Sequence, residues 1–481
     1  MENLKSKTVN GIIWSTIEKF TLQGVQFVIN IIMARLLFPS DYGIIAILMV
    51  FLSIMQLFID GGFTTALIQK RERDEKDFST VFTFNICLSI IAYFILFISA
   101  KSIASFYGQE NLEIYLRVIA LNLIISSFAA VQKTKLVINV DFKTLSKVSV
   151  FSIAISGSIG IAMAYNGKGI WALIVQSVCN TSLNTFLLCY FSKWFPKYFF
   201  NIVSFRRLFS FSSKLLLVGL VDKIYMNLYP LIIGKFFSSA KLGYYTRAEQ
   251  FASLPSSSFS DILLRVSFPI IASISNDNKA LIQAYKKYIV VSSYLVFPIM
   301  VLLIVLAYPI VLLLLTDKWI MIIPFMQILC VGFMFDHIGT INRNLLYAKG
   351  RSDLALKMEV VKKMIALLIL MVSITFGIFG VCIGQAVYGI TSVYLNSYYT
   401  KDMIGLSFYN QLKLIFPSLL LSAIMGGIIF LINSLFEDLY LKILIGLLTA
   451  FFVYAFLSSV SRNEAFYELI SMVKCKIKKY N

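Results

Sequence analysis

Ser15, Lys19, Gln23, Gln26 and Asn30 recur at three- and four-residue intervals inside the first long apolar segment of the chain. At about 100° per residue they fall on one narrow face of a helix, with Trp14, Phe20, Val25 and Phe27 off it. An ammonium at mid-bilayer costs roughly 2.5 to 3.5 kcal/mol on insertion scales, so the stripe should face a watery cavity or a ligand, not lipid. Lysine offers a point charge for phosphate, and Gln and Asn offer donors and acceptors for sugar hydroxyls. A cavity lined this way suits an anionic, hydroxyl-rich substrate. A carrier of organic cations would more naturally present carboxylates or an aromatic cage.

The elements that must hold these residues are membrane helices. The chain has 481 residues, 59% of them hydrophobic and only 14% charged, with a mean hydropathy of +0.82. Its apolar runs reach the roughly 20 residues needed to cross a bilayer. Reading these runs between polar breaks predicts an all-α polytopic membrane protein with about fourteen transmembrane helices, from 10–34 to 440–459. No soluble domain is expected, because the longest hydrophilic loop, about 61 to 78, carries only a mixed-charge run from Lys70 to Asp77. The N-terminus has Lys5 and Lys7 but no short apolar core followed by a small-residue cleavage site, so no signal peptide is expected. Cys87, Cys179, Cys189, Cys330 and Cys382 sit singly in apolar segments and read as small hydrophobic filler.

The net charge of +19 is a topology signal. Most of the 43 Lys and Arg fall on alternate connections between spans, which places both termini in the cytoplasm. They form no single basic patch, so nucleic acid is not an expected partner.

An internal repeat has an offset close to 200 residues. Ala34 to Gly43 lines up with Gly234 to Gly243, keeping a cation, an apolar pair and the final glycine, and Gly167 to Gln176 echoes Gly377 to Gln385 more weakly. The expected organisation is a six-helix lobe over 1–200, a second six-helix lobe over 201–402, two further spans over 403–460 and a basic cytoplasmic tail over 461–481. Parallel repeats of this sort hold substrate between two lobes. At the repeat offset, Lys223 with Asn227 gives the seventh span a polar face that partly echoes Lys19. Arg117 and Arg247 are further cations near span ends, where snorkelling to the interface is an equal alternative. Glu18, Asp222, Glu249, Asp336 and His337 are the intramembrane titratable groups that could take a coupling proton or other cation. Structural pairing, such as Asp336 with Arg343, is an equal alternative for these groups. No Walker-type glycine loop and no metal constellation occurs in the sequence, so neither a cofactor nor a metal is expected.

The run from Trp14 to Arg35, followed by Leu36 to Gly43, Asp60, Gly61, Gly62 and Ala66 to Gln69, resembles the N-terminal signature of polysaccharide exporters of the Wzx/WzxC type. Asp77 to Phe82, Ile103 to Tyr107, Asp141 to Lys143, Gly167 to Leu173 and Leu242 to Gln250 add to the resemblance, which covers about the first 270 residues. It implies membership of the multidrug, oligosaccharidyl-lipid and polysaccharide exporter superfamily. By that resemblance the chain is not an enzyme but a flippase in the bacterial inner membrane. It would move undecaprenyl-diphosphate-linked oligosaccharide to the periplasmic leaflet by alternating access, alongside a polysaccharide polymerase and chain-length machinery. Lys19 and Lys223 would then hold the diphosphate with help from Arg117 and Arg247, and Gln23, Gln26, Asn30 and Asn227 would meet sugars. The rival readings are a multidrug or cation exporter on the same fold, and a membrane polymerase or glycosyltransferase.

Overall fold

Over the described residues, each of the fourteen expected spans falls on a helix or a broken pair of helices, and no strand occurs. The structure is a computed structural model and describes residues 21–70 and 72–478. Glu18 and Lys19 therefore lie outside the described residues. Contacts divide the chain into two units, Met1–Gly243 and Tyr244–Asn481.

The first unit contains α1 (described over Thr21–Leu36), α2 (Pro39–Asp60), α3 (Phe63–Gln69), α4 (Glu75–Tyr107), α5 (Leu112–Ile119), α6 (Leu121–Ser127), α7 (Ala130–Ile138), α8 (Phe142–Tyr165), α9 (Ile170–Ser192) and α10 (Ile202–Phe236). Local chemistry explains the breaks. Gly61 and Gly62 take φ of 47° and 80° between α2 and α3, a left-handed backbone that a Cβ would penalise. Asp74 starts α4 by accepting from the Asp77 amide at 3.0 Å, while the Asp77 carboxylate accepts from the Asp74 amide at 3.1 Å. On α8, Ser152, Ser156, Gly160 and Ala164 make a buried small-residue row at four-residue spacing. A Cβ at Gly160 would press on Gln176 of α9, and one at neighbouring Gly157 would strike Ile29 of α1. Small residues thus set how closely these helices approach. α10 packs on α2, α3 and α4 and so belongs to the first unit by contact. The contact boundary follows packing, whereas the repeat boundary at 200 follows sequence offset.

α11 (Ser239–Ser273) starts just before the boundary. The second unit continues with α12 (Asn278–Val305), α13 (Ala307–Leu315), α14 (Ile322–Phe333), α15 (Asp336–Ala348), α16 (Ser352–Ile374), α17 (Gly377–Ile404), α18 (Phe408–Asn433), α19 (Leu439–Val460) and α20 (Glu464–Lys478). α12 packs along α18, and α17 packs against α14 and α16. Gly332 on α14 lies against Ala386 and Gly389 of α17, so two backbones meet where side chains would hold them apart. A buried polar chain ties four helices together: the Tyr285 hydroxyl donates to Asn342, whose amide donates to Gln411 Oε1 at 3.2 Å, and Gln411 Nε2 donates to Thr400 at 2.9 Å. Satisfied in this way, the buried amides fix the register of α12, α15, α17 and α18.

Among the described residues nine helices are long and apolar enough to cross a membrane, or ten if the pair Leu112–Ser127 and Ala130–Ile138, bent by 42°, is one span. That is fewer than the fourteen expected. α10, α11 and α16 are long enough, but their charged and polar side chains dilute the apolar stretch, and α1 is described over Thr21–Leu36 alone. The class stands: an all-α polytopic membrane protein.

One buried group is unusual. Asn85, in the middle of α4, is 0% exposed, and neither of its polar atoms has a hydrogen-bond partner among the described residues. An unmet buried amide costs about 1 to 3 kcal/mol. Leucine has nearly the same shape, so Asn85→Leu is expected to raise stability by about that amount. A melting temperature in detergent equal to or below that of the parent would show that Asn85 has a water partner instead.

Candidate functional site

The repeat seen in the sequence recurs as a repeated helix break. α1 ends at Leu36 and α2 begins at Pro39; α10 ends at Phe236 and α11 begins at Ser239, at the same 200-residue offset. The amides of Leu37 and Phe237 both close the preceding helix, each at 2.9 Å, on Met33 and Ile233. The two breaks also meet. A Cβ on Gly43 would run into the backbone carbonyl of Ser239, and a Cβ on Gly243 would run into that of Pro39 and stand 3.1 Å from the Gly43 nitrogen. Equivalent glycines therefore receive each other's helix starts, a reciprocal contact that only hydrogen side chains permit.

Of the polar stripe on α1, Gln23 and Gln26 are exposed and Asn30 is half-buried. On α10, Lys223 and Asn227 are half-buried, and the Asn227 amide donates to the Lys223 carbonyl at 2.7 Å one turn back. No ion pair reaches Lys223 among the described residues, and Asp222 is exposed beside it. Arg117 is different. Its guanidinium lies 2.7 Å from Glu113 one turn earlier on α5, stacks over Phe97 at 4.3 Å and donates to the Phe97 carbonyl at 3.4 Å. Its charge is already matched within α4 and α5.

In the second unit, Arg247 is buried and donates to Gln250 on its own helix. Glu249 accepts from Gln385 Nε2 at 3.2 Å, and Gln385 Oε1 in turn accepts from the Tyr245 hydroxyl. His337 is 0% exposed, with Nε2 2.9 Å from the Ser293 hydroxyl and its ring edge-on to Phe297. Asp336, next to it, is exposed. The pairing considered for Asp336 with Arg343 is not the one formed: Arg343 lies 3.3 Å from Glu359 of α16, and Lys362, 3% exposed, lies 2.7 Å from the same carboxylate. Glu359 is thus the shared anion of two cations. Glu359→Gln leaves both without it and is expected to cost about 3 kcal/mol, whereas the double change Glu359→Gln with Lys362→Met, which also removes the buried cation, should recover most of that. Equal losses in the single and double variants, measured by thermal unfolding in detergent, would reject the shared-anion account.

Three groups escaped the sequence reading as site candidates. Asp60 accepts from Gln56 at 3.3 Å, and Gln56 accepts from Ser126 of α6 at 3.2 Å. The available signal was an acid at the end of an apolar run directly before Gly61 and Gly62. Gln385 had only the weak second repeat to mark it, and Glu359 looked like one more charge in a mixed-charge segment. For Gln385 both partners, Glu249 and Tyr245, are far away in sequence.

The chain is similar to known proteins in sequence and in fold. A family described as polysaccharide biosynthesis protein matches residues 32–324. The teichuronic acid biosynthesis protein TuaB of Bacillus subtilis (strain 168) is 26% identical over 358 residues, 74% of this chain and 74% of TuaB. The lipopolysaccharide biosynthesis protein WzxC of Escherichia coli (strain K12) is 24% identical over 75% of this chain and 74% of its own length. The succinoglycan biosynthesis transport protein ExoT of Rhizobium meliloti (strain 1021) is 24% identical over 69% of this chain and 67% of ExoT. Among solved structures, the lipid II flippase MurJ in an inward closed conformation has the same fold with a TM-score of 0.77 at 18% identity, covering 95% of this chain and 100% of that one. An inward-facing multidrug MATE transporter is similar at a TM-score of 0.63 and 15% identity, over 80% of this chain and 94% of its own.

Proposed function

Because this chain belongs to the family of polysaccharide biosynthesis proteins, we propose that it is a flippase for lipid-linked oligosaccharide. Its substrate is a polyprenyl-diphosphate-linked repeat unit bound for a surface or secreted polysaccharide. It carries the unit from the cytoplasmic to the outer leaflet of the bacterial inner membrane by alternating access, with both termini in the cytoplasm. The observation that carries this reading is the family match over 32–324, with relatives named for polysaccharide biosynthesis and, for ExoT, for transport. The stripe from Lys19 to Asn30 in the sequence and the face of α10 that carries Lys223 and Asn227 support it chemically. Lys19 and Lys223 hold the diphosphate, and Gln23, Gln26, Asn30 and Asn227 meet sugar hydroxyls. Arg117 is matched by Glu113, and Arg247, in the second unit, donates to Gln250. Glu18, Asp222, Glu249, Asp336 and His337 are the groups through which a proton or other cation could drive the cycle. A polymerase that consumes the flipped unit is the partner this chemistry requires.

The test is reconstitution into proteoliposomes with a fluorescent polyprenyl-diphosphate oligosaccharide on one leaflet, read by a membrane-impermeant quencher. Protein-dependent movement to the opposite leaflet is the expected result. A rate no higher than in protein-free vesicles, together with uptake of an organic cation, would transfer the protein to the drug-exporter reading.

A further inference from the structure

The second unit contains a cavity of about 650 Å3 where α12 and α18 begin and α19 ends. Because α12, α18 and α19 are all long and apolar enough to span a membrane, the cavity lies at the edge of the apolar layer on one face of the protein. Lys286 of α12, Lys413 of α18 and Arg462 of the turn after α19 line it, against the single lining carboxylate of Glu464. None of the three cations forms an ion pair among the described residues. A neighbour does: Lys287, one residue on from Lys286, lies 2.9 Å from Glu468. The remaining wall is largely apolar, with Leu414, Pro417 and Leu421 rising along α18 toward the core packed around Tyr294 and Tyr454.

Backbone strain marks the same place. Arg462 has a φ of 50°, a left-handed conformation unfavourable for any residue with a Cβ. A glycine would hold that turn more easily, yet an arginine stands there on the cavity wall. Nothing in the local fold accounts for the arginine, because the turn is closed by backbone bonds from Arg462 to Ser459 at 3.2 Å and from Asn463 to Ser458 at 3.0 Å.

We infer that this cavity binds an anionic lipid of the surrounding bilayer, with the phosphate held by Lys286, Lys413 and Arg462 and an alkyl chain lying on Leu414, Pro417 and Leu421. Three cations against one carboxylate match a phosphate better than a zwitterionic head group, and the wall changes from charged to apolar as a lipid does. The occupant comes from the bilayer because the cavity opens at the membrane edge, where lipid is the solvent. This inference does not rest on the flippase reading. Its failure would leave that reading untouched.

The test uses the purified full chain in neutral detergent and native mass spectrometry of bound lipid. Phosphatidylglycerol is expected to bind saturably and at least tenfold more tightly than phosphatidylcholine. Lys286→Gln with Lys413→Gln, both at exposed positions, should remove that preference with little change in stability. Arg462→Gly relieves the left-handed turn, so it should fold at least as well as the parent and still bind phosphatidylglycerol at least tenfold more weakly. A polyprenyl diphosphate that displaces phosphatidylglycerol would make the same site one for lipid phosphates in general and supports the inference. Displacement by inorganic pyrophosphate at equal concentration would show that no chain contact contributes and would overturn it. So would unchanged phosphatidylglycerol binding in the well-folded Arg462→Gly protein.

Discussion

Exchange of Lys223 for glutamine is expected to slow transfer of lipid-linked oligosaccharide between proteoliposome leaflets by about 10- to 100-fold. This is the loss that follows from removing one charge-assisted hydrogen bond of about 1.5 to 3 kcal/mol. Lys223 is half-buried on α10, and among the described residues no carboxylate is paired with it, so its charge is available to a ligand. The contrast with Arg117 sharpens the expectation. Arg117 already has Glu113 at 2.7 Å and the Phe97 ring at 4.3 Å, so Arg117→Gln should weaken the α4 and α5 packing more than it slows transfer. Lys223→Arg keeps the charge and should retain most of the rate. The double variant Lys19→Gln with Lys223→Gln should fall further than either single variant. Wild-type rates in Lys223→Gln and in the double variant, with melting temperatures unchanged, would remove both lysines from the substrate site.

The second large effect is structural. Gly43→Ala and Gly243→Ala each place a methyl group against a backbone carbonyl of the other helix break, Ser239 in the first case and Pro39 in the second. A carbonyl held in a helix start cannot swing aside as a flexible side chain would. Each change is therefore expected to cost about 3 kcal/mol or to force the first turns of α2 and α11 apart. Amide hydrogen exchange at 39–43 and 239–243 reads the difference: separated turns exchange faster, while the rest of α2 keeps its protection. Because the contact is reciprocal, the two single variants should show the same pattern and the double variant should add little to either. Parent-like exchange and melting in Gly43→Ala would mean that the two breaks do not depend on this contact.

The sequence alone was enough for the helical class and for the correspondence of Gly43 with Gly243. Hydropathy is a property of runs, and a run of about twenty apolar residues has few other places to go. The 200-residue offset was visible because Gly43 and Gly243 keep their type, and the structure explains why: each is the only residue small enough for its contact. The fourteen-span count was less legible. Polar residues on α10, α11 and α16 are spread along helices of 35, 35 and 23 residues, and local hydropathy cannot say which faces they occupy.

What only the tertiary structure decided was the pairing of charges. From spacing, Lys223 was a cavity cation, Arg117 could equally snorkel to the interface, and Asp336 with Arg343 was the ion pair one helix offered. Arg117 is matched by Glu113 one turn back on its own helix, but packing added the Phe97 ring of α4 to it and brought Arg343 of α15 to the carboxylate that Glu359 shares with Lys362 on α16. It also gathered Lys286, Lys413 and Arg462 from three separate segments around one cavity. A charge in an apolar setting is set by its nearest opposite charge, and energy rises steeply as the distance falls, so partners remote in sequence dominate once helices pack. Sequence determines which residues must be buried in lipid or protein; the fold determines which of their charges are left for a ligand.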